Sequence, residues 1–165
     1  MDTHDDVARL WALIKDIRFA MLTTKSRSGH LHSRPVTTQN KSLDGGRLWF
    51  FIAAHGDPAA EIGDEHEVNL AYADPGDDKY VSVSGTAALV RDIEKKRELW
   101  NPMAKAWFPG GPEDPEVQLL EVTIEHAEYW DVKDSKLTQM FKMAKAAVTG
   151  STPKDMAKTG QVRMH

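Results

Sequence analysis

The sequence predicts a mainly β protein in which six antiparallel strands form a small barrel flanked by helices. Between Phe19 and Trp130, short apolar or β-branched runs alternate with turns that contain Gly, Asp and Pro. Turns this short favour antiparallel neighbours, because a parallel crossover needs about a dozen residues or more. With 165 residues, 41% of them hydrophobic and 28% charged, the chain also has the size and composition of one soluble domain.

Apolar positions at intervals of three and four residues open the chain: Val7, Leu10, Trp11, Ile14 and Ile17. This spacing predicts a helix over residues 4–17. The runs that follow predict five strands, over residues 19–24, 31–39, 48–54, 68–73 and 80–90. Between the third and fourth of these strands, Asp57 and Pro58 predict the start of a short helix with Asp57 as its N-cap.

The stretch after the fifth strand begins with a charged, helix-forming segment over residues 92–100, which an Asn-Pro pair ends. Residues 103–115 then place Trp107 and Phe108 before a Pro-Gly-Gly-Pro run. This composition predicts a rigid aromatic loop. Trp107 has no periodic pattern around it, so both a stacking or interface role and simple loop packing stay open for it.

The last part of the chain alternates apolar and polar residues over 117–130, which predicts the sixth strand. Residues 137–148 have the spacing of a second amphipathic helix. The Ser, Thr, Pro and Lys residues that follow predict a tether, so we divide the chain into a domain over residues 1–150 and a C-terminal tail over residues 151–165.

The formal net charge of −4 gives no general attraction for phosphate backbones, which argues against a nucleic-acid partner. No run approaches the roughly 20 apolar residues that span a bilayer, and the first residues are acidic, so we expect a cytoplasmic protein with no membrane partner. The absence of cysteine excludes disulfides and thiol nucleophiles. The short signatures of dinucleotide-binding, P-loop, zinc-peptidase and nucleophile-elbow enzymes are missing as well.

Two histidines at the start of the second strand, His30 and His32, lie two residues apart and would share one face of a strand, a spacing that a metal site can use. No carboxylate or Cys stands at ligand spacing beside them in the sequence. A solvated strand face is therefore the better interpretation, and we expect no metal.

The same strand carries Arg34 and Pro35 inside an otherwise strand-like run. Because Pro removes a hydrogen bond from the ladder, this run belongs at a sheet edge or a bulge. Arg34 is able to make bidentate bonds to a phosphate. Thr37 and Gln39 lie on one face of the same run, and Val36 and Thr38 lie on the opposite face. From spacing alone, an edge strand with one surface Arg is the simpler interpretation.

Eight segments in order resemble the general stress protein 26 family, which belongs to the pyridoxamine 5′-phosphate oxidase-like, FMN-binding split barrels. They are RFAMLTT at 18–24, HSRPVTTQ at 32–39, LWFF at 48–51, VNLAYADP at 68–75, YVSVSG at 80–85, LWNP at 99–102, KAWFP at 105–109 and EYWD at 128–131. The resemblance implies a six-stranded antiparallel split β-barrel that forms a homodimer, with two FMN sites in the clefts between the subunits.

The resemblance also assigns cofactor contacts to particular residues. The segment over residues 34–37 would line the flavin ring with its backbone, with Arg34 and Gln39 near the phosphate. The neighbouring strand would lie under the ring, and His55-Gly56-Asp57 would form the phosphate loop. Lys105, Trp107 and Trp130 would point towards the cofactor, with Trp107 coming from the partner subunit. The cofactor-binding residues expected on this basis are Ser33, Arg34, Pro35, Val36, Thr37, Gln39, Phe51, Ile52, Ala53, His55, Gly56, Asp57, Lys105, Trp107 and Trp130.

One departure from the family pattern concerns the phosphate loop. Where relatives read Ser-x-Lys, this chain reads Gly56-Asp57-Pro58, which removes a hydroxyl and an ammonium and adds a carboxylate. A carboxylate that faced the phosphate would repel it, so Arg34 and the loop amides would carry more of the binding.

The resemblance favours a stress-related, FMN-dependent oxidoreductase of unknown small substrate. No residue in the sequence can be assigned as its general acid or base. The alternatives are a non-catalytic module that binds flavin or another planar ligand such as haem, and a structural dimer with an empty cleft.

Overall fold

The computed structural model describes residues 4–64, 66–132, 136–150 and 158–164. The helices are α1 (His4–Ile17), α2 (Asp57–Asp64), α3 (Ile93–Leu99), α4 (Pro102–Trp107) and α5 (Lys136–Thr149). The strands are β1 (Phe19–Lys25), β2 (Leu31–Thr37), β3 (Arg47–Ala53), β4 (Glu67–Asp74), β5 (Lys79–Val90), β6 (Val117–Asp131) and β7 (Lys158–Arg163).

The strands form one antiparallel sheet in the order β2-β1-β4-β5-β6-β3, and β7 pairs with β6 beyond the end of β3. The sheet curls until its two outer strands approach each other. There the backbone N–H of Gln39 donates to the carbonyl of Trp49 across 2.9 Å. Beyond this bond β2 and β3 are not paired, so the barrel is split along one seam.

Alternation along the strands fills the barrel with apolar side chains, because successive residues of a strand point to opposite faces. Leu22, Leu70, Val83 and Leu120 are among those with no exposed surface. The amphipathic helix α1 packs on the same core through its buried face, which includes Leu10. This core holds the two edge strands in place on either side of the seam.

The helix predicted over residues 4–17 and the six predicted strands are confirmed, each with ends within a few residues. The N-cap assigned to Asp57 is wrong by one position. The first hydrogen bond of α2 joins the N–H of Ala60 to the carbonyl of Gly56, so Gly56 is at the cap and Asp57 is the first helical residue.

The aromatic loop predicted over residues 103–115 is wrong at its start, where the chain forms helix α4. The side chain of Asn101 caps this helix by accepting from the N–H of Ala104 at 2.9 Å, and Pro102 fills a first-turn position where no N–H is needed. A helix of about one and a half turns is too short to show an apolar periodicity, so the sequence pattern did not predict α4.

The tether predicted for the tail is wrong for residues 158–163, which form β7. Val162 is fully buried against the core, and the N–H of Met164 donates to the carbonyl of Glu125 at 2.9 Å. Residues 151–157 of the tail lie outside the described residues. The division of the chain at residue 150 stays a prediction.

Helix α5 is present as predicted, but four large apolar side chains on it, Met140, Phe141, Met143 and Val148, are exposed. Within the described ranges, no helix has the length and apolar character needed to cross a membrane.

Candidate functional site

A cavity of about 470 Å³ lies at the seam of the barrel, within the size range of small-molecule sites. Its walls come from both edge strands, from α4 and the residue after it, and from Pro58 at the start of α2. The lining residues are Phe19, Arg34, Pro35, Val36, Thr37, Gln39, Phe51, Ile52, Ala53, Pro58, Met103, Ala104, Trp107 and Phe108. Most of these are apolar, which suits a flat, largely apolar ligand.

The edge of β2 turns backbone groups towards this cavity. The N–H of Thr38 donates to the carbonyl of Arg18 at 2.9 Å, so Thr38 and alternate residues before it direct their backbone groups at β1. The backbone groups of Ser33, Pro35 and Thr37 have the opposite direction and face the seam. Pro35 is tolerated here because the N–H it lacks would not have joined the ladder.

The edge of β3 also turns backbone groups towards the cavity, from the side opposite β2. The N–H of Ala54 donates to the carbonyl of Glu116 at 2.8 Å, which directs the even-numbered residues of β3 at β6. The backbone groups of Phe51 and Ala53 therefore face the seam, as the carbonyl of Trp49 does. A flat ligand in the seam would meet backbone donors and acceptors on two edges.

Helix α4 is held against the seam by side-chain amides. The amide nitrogen of Asn101 donates to the side-chain oxygen of Gln39 at 2.6 Å, and the amide nitrogen of Gln39 donates to the carbonyl of Thr37 at 3.2 Å. Buried Ala104 and exposed Trp107 of this helix then form a cavity wall. The resemblance placed the side chain of Gln39 near the phosphate of FMN. In the structure its amide group instead positions α4.

Arg34 is the one charged side chain among the residues that line this cavity. Its guanidinium donates to the carboxylate of Glu61 at 3.0 Å and to the hydroxyl of Thr24. It also contacts the ring of His32, whose Nδ1 lies 3.5 Å from the Glu61 carboxylate. The Thr24 hydroxyl, which donates to the carboxylate, and then Arg34 and His32 lower the pKa of Glu61 below its ordinary value of 4.5.

The structure brings together most residues that the sequence assigned to the cofactor. They are Arg34, Pro35, Val36, Thr37, Gln39, Phe51, Ile52, Ala53 and Trp107. Trp107 was expected from the partner subunit, but it lines the cavity of its own chain. Its side chain is 77% exposed, so a ligand could cover it.

The other expected residues lie beside the cavity or away from it. The Ser33 hydroxyl is 2.6 Å from the Thr23 hydroxyl on the outer face of β2. His55, Gly56 and Asp57 are exposed next to the lining residue Pro58, and Lys105 is exposed on α4. Trp130 pairs with Tyr80 and Thr159 in the sheet, seven residues along β6 beyond Thr123, the last residue that pairs with β3.

Several residues of the site were not predicted from the sequence, among them Glu61, Thr24, Phe19 and Met103. Glu61 and Thr24 meet Arg34 through the packing of α2, and this contact spans 27 residues between Arg34 and Glu61. Phe19 of β1 and Met103 of α4 also line the cavity, but the orientation of these two elements is set by the packing of the whole fold. The Asn-Pro pair before Met103 was a usable signal, because Asn at an N-cap followed by Pro is a typical helix start.

The family model described as pyridoxamine 5′-phosphate oxidase like matches residues 5–154. The chain belongs to the pyridoxamine 5′-phosphate oxidase-like family. A relative of this chain, protein bli-3 of Neurospora crassa, is 29% identical over 142 residues, which is 81% of this chain and 68% of that protein.

Solved structures agree with the pyridoxamine 5′-phosphate oxidase-like assignment. A general stress protein 26 from Jannaschia sp. CCS1 superposes with a TM-score of 0.77 at 29% identity, over 98% of this chain and 100% of that one. The general stress FMN/FAD binding protein of Xanthomonas citri has a TM-score of 0.70 at 32% identity, over 81% of this chain and 93% of that one. The split barrel implied by the resemblance is thus confirmed.

Proposed function

We propose that this protein binds a flavin, with FMN as the expected form, in the seam between β2 and β3, and that it is a flavin-dependent oxidoreductase. The observation that carries the proposal is the apolar cavity between two edge strands whose backbone groups face each other across it. The name of the Xanthomonas citri relative, an FMN/FAD binding protein, supports this choice of ligand.

The residues of the cavity fit the ring system of a flavin. Phe51, Ile52 and Val36 would contact its faces, and the backbone of Thr37 and Ala53 would meet its polar edges. The exposed ring of Trp107 would stack on the ligand from α4. When bound, the flavin would supply the redox chemistry, and the protein would supply orientation and exclusion of water.

A non-catalytic flavin-binding module is the second candidate, and the lining of the cavity favours it. Arg34 is the one ionisable side chain among the lining residues, and a guanidinium does not exchange protons near neutral pH. The described cavity therefore holds no side chain suited to general acid or base catalysis. Hydride transfer to a flavin does not require such a group, so oxidoreductase activity remains our first candidate.

We further propose that the protein is a homodimer. The outer face of the β1–β2 hairpin exposes a group of apolar side chains that includes Phe19, Met21, Leu31 and Pro35. Apolar patches of this kind mark interaction surfaces. Phe19 and Pro35 also line the cavity, so a second subunit on this face would complete the site.

Dimerisation can be tested by light scattering coupled to size exclusion. Met21→Lys should yield a monomer, because it places a charge in the hairpin face. Ile93→Lys is the matched control, since Ile93 on α3 is 41% exposed and Met21 is 43% exposed. A wild-type monomer, or a dimer that Met21→Lys leaves intact, would contradict the dimer proposal.

Flavin binding can be tested by adding FMN to the purified full chain and following the quenching of flavin fluorescence. We expect saturable binding that Ala53→Trp abolishes, because the indole would fill the cavity from its wall. Ala73→Trp is the control, since Ala73 is exposed on β4 and does not line the cavity. Absence of binding would favour a structural dimer with an empty cleft.

Catalysis needs a separate assay. The FMN-loaded protein should oxidise NADH or NADPH in repeated turnovers if it is an oxidoreductase. Stable flavin binding without turnover of either nucleotide would instead support the non-catalytic module.

A further inference from the structure

The guanidinium of Arg34 is nearly saturated by groups of its own chain. Nη1 donates to the carbonyl of Leu22 at 3.3 Å and to the Thr24 hydroxyl, while Nη2 contacts the His32 ring and the Glu61 carboxylate, each at 3.0 Å. Leu22, Thr24 and Glu61 therefore occupy three of the five N–H donors that an Arg carries, and a fourth faces the His32 ring. The side chain is only 16% exposed.

The carboxylate of Glu61 is fixed in this position independently of Arg34. Two neighbours on α2, Ala59 and Ile62, are buried in the core, so the helix cannot easily withdraw. The hydroxyl of Thr24, a buried residue, also donates to the same carboxylate. A phosphate that approached Arg34 would have to displace a carboxylate that is held by the fold.

The start of α2 brings no basic side chain that would favour a phosphate over this carboxylate. Asp57 contributes a second negative charge, and Pro58 lines the cavity without an N–H to donate. A phosphate monoester carries about 1.5 to 2 negative charges near neutral pH. Among the residues that line the described cavity, Arg34 is the single cation available to balance them.

We propose that Glu61 sets the ligand class of this cavity: its carboxylate already neutralises Arg34, so the cavity selects the uncharged ring of a flavin and gains little from a phosphate. Riboflavin and FMN are then expected to bind with similar affinity. The inference rests on the proposed flavin binding and makes Glu61 a specificity-determining residue that acts through Arg34.

The test compares riboflavin with FMN on the full chain by quenching of flavin fluorescence. In the wild type, the two dissociation constants should agree within about threefold, because the phosphate meets no uncompensated cation. In Glu61→Gln, the guanidinium loses its carboxylate, and FMN should bind about tenfold more tightly. Riboflavin should bind this variant as it binds the wild type, which also reports that the variant is folded.

Glu94→Gln is the matched control, because it removes one exposed carboxylate on α3 without touching Arg34. It should leave both dissociation constants unchanged. The inference is overturned if wild-type protein binds FMN ten or more times more tightly than riboflavin, a result that needs no variant and leaves flavin binding intact. It is also overturned if Glu61→Gln fails to change the ratio of the two constants. If neither flavin binds the wild type, the proposed function itself fails, and the inference fails with it.

Discussion

The side-chain amide of Asn101 donates to the side-chain oxygen of Gln39 across 2.6 Å, and this bond joins the start of α4 to the chain just beyond β2. The carbonyl oxygen of the same Asn101 amide caps α4 at the N–H of Ala104. One side chain therefore both starts the helix and seats it at the cavity.

Asn101→Ala should lower the free energy of unfolding by about 1–2 kcal/mol, since an N-cap and a partly buried hydrogen bond are lost together. It should also weaken flavin binding several-fold, because the α4 wall is no longer pre-ordered. Urea denaturation and flavin titration measure the two effects. Asn69→Ala, which removes hydrogen bonds to Ser82 and Ser84 on the sheet, should cost stability without changing flavin affinity.

Trp107→Ala should weaken flavin binding about tenfold, because stacking of an aromatic side chain on a heteroaromatic ring contributes roughly 1–3 kcal/mol. Trp130→Ala is the informative comparison, since the sequence assigned both residues to the cofactor. If one protomer forms the site, Trp130→Ala should have no effect in a flavin titration. An equal loss in both variants would mean that a second subunit brings Trp130 to the ligand.

Glu61 should make the protein sensitive to acid. Its pKa is lowered in the fold by the hydrogen bonds from Thr24, Arg34 and His32, so the carboxylate stabilises the folded state above the ordinary value of 4.5. That contribution is lost as the pH falls below 4.5 and through the folded pKa, because the unfolded state then binds the proton more readily. In urea denaturation at a series of pH values, Glu61→Gln should lose stability less steeply than the wild type on this acid side. Parallel curves for the two proteins would contradict the role assigned to the carboxylate.

Gly160→Ala should destabilise the protein by about 1–3 kcal/mol, as expected for overpacking. A Cβ at this position would overlap the ring of Tyr129, which is buried in the core. Gly63→Ala is the control, because beyond the backbone of its own helix and its chain neighbours nothing lies within 4 Å of the new methyl group at that exposed glycine. The control should stabilise α2 by up to about 1 kcal/mol in thermal or urea unfolding. Equal stability of Gly160→Ala and wild type would mean that β7 does not pack on Tyr129 in solution.

The barrel could be predicted because its strands and turns are specified by residues that lie close together in the sequence. Alternation along β4 and β5, and the tight turn between them, specify two strands and their pairing without reference to the rest of the chain. The position of β7 could not be predicted in this way. Its sequence, KTGQVR, contains one strongly apolar residue, and pairing with β6 supplies what the pattern lacks.

The site was predicted in part for the same reason. Pro35 inside a strand identified an edge, and the structure places the cavity along that edge. The environment of Arg34 depends instead on where α2 docks, which is set by the burial of Ala59 and Ile62 rather than by any motif. The charge of Arg34 was evident from the sequence, whereas its neutralisation by Glu61 required the fold.

Phe19 belongs both to the exposed face of the β1–β2 hairpin and to the wall of the cavity. Any molecule that covers this ring from one side changes the surface offered to a molecule on the other side. If the chain binds flavin in the seam and dimerises through this face, as proposed, the two equilibria are linked, and each changes the other by the same factor. The apparent flavin affinity of the protein should accordingly vary with its own concentration.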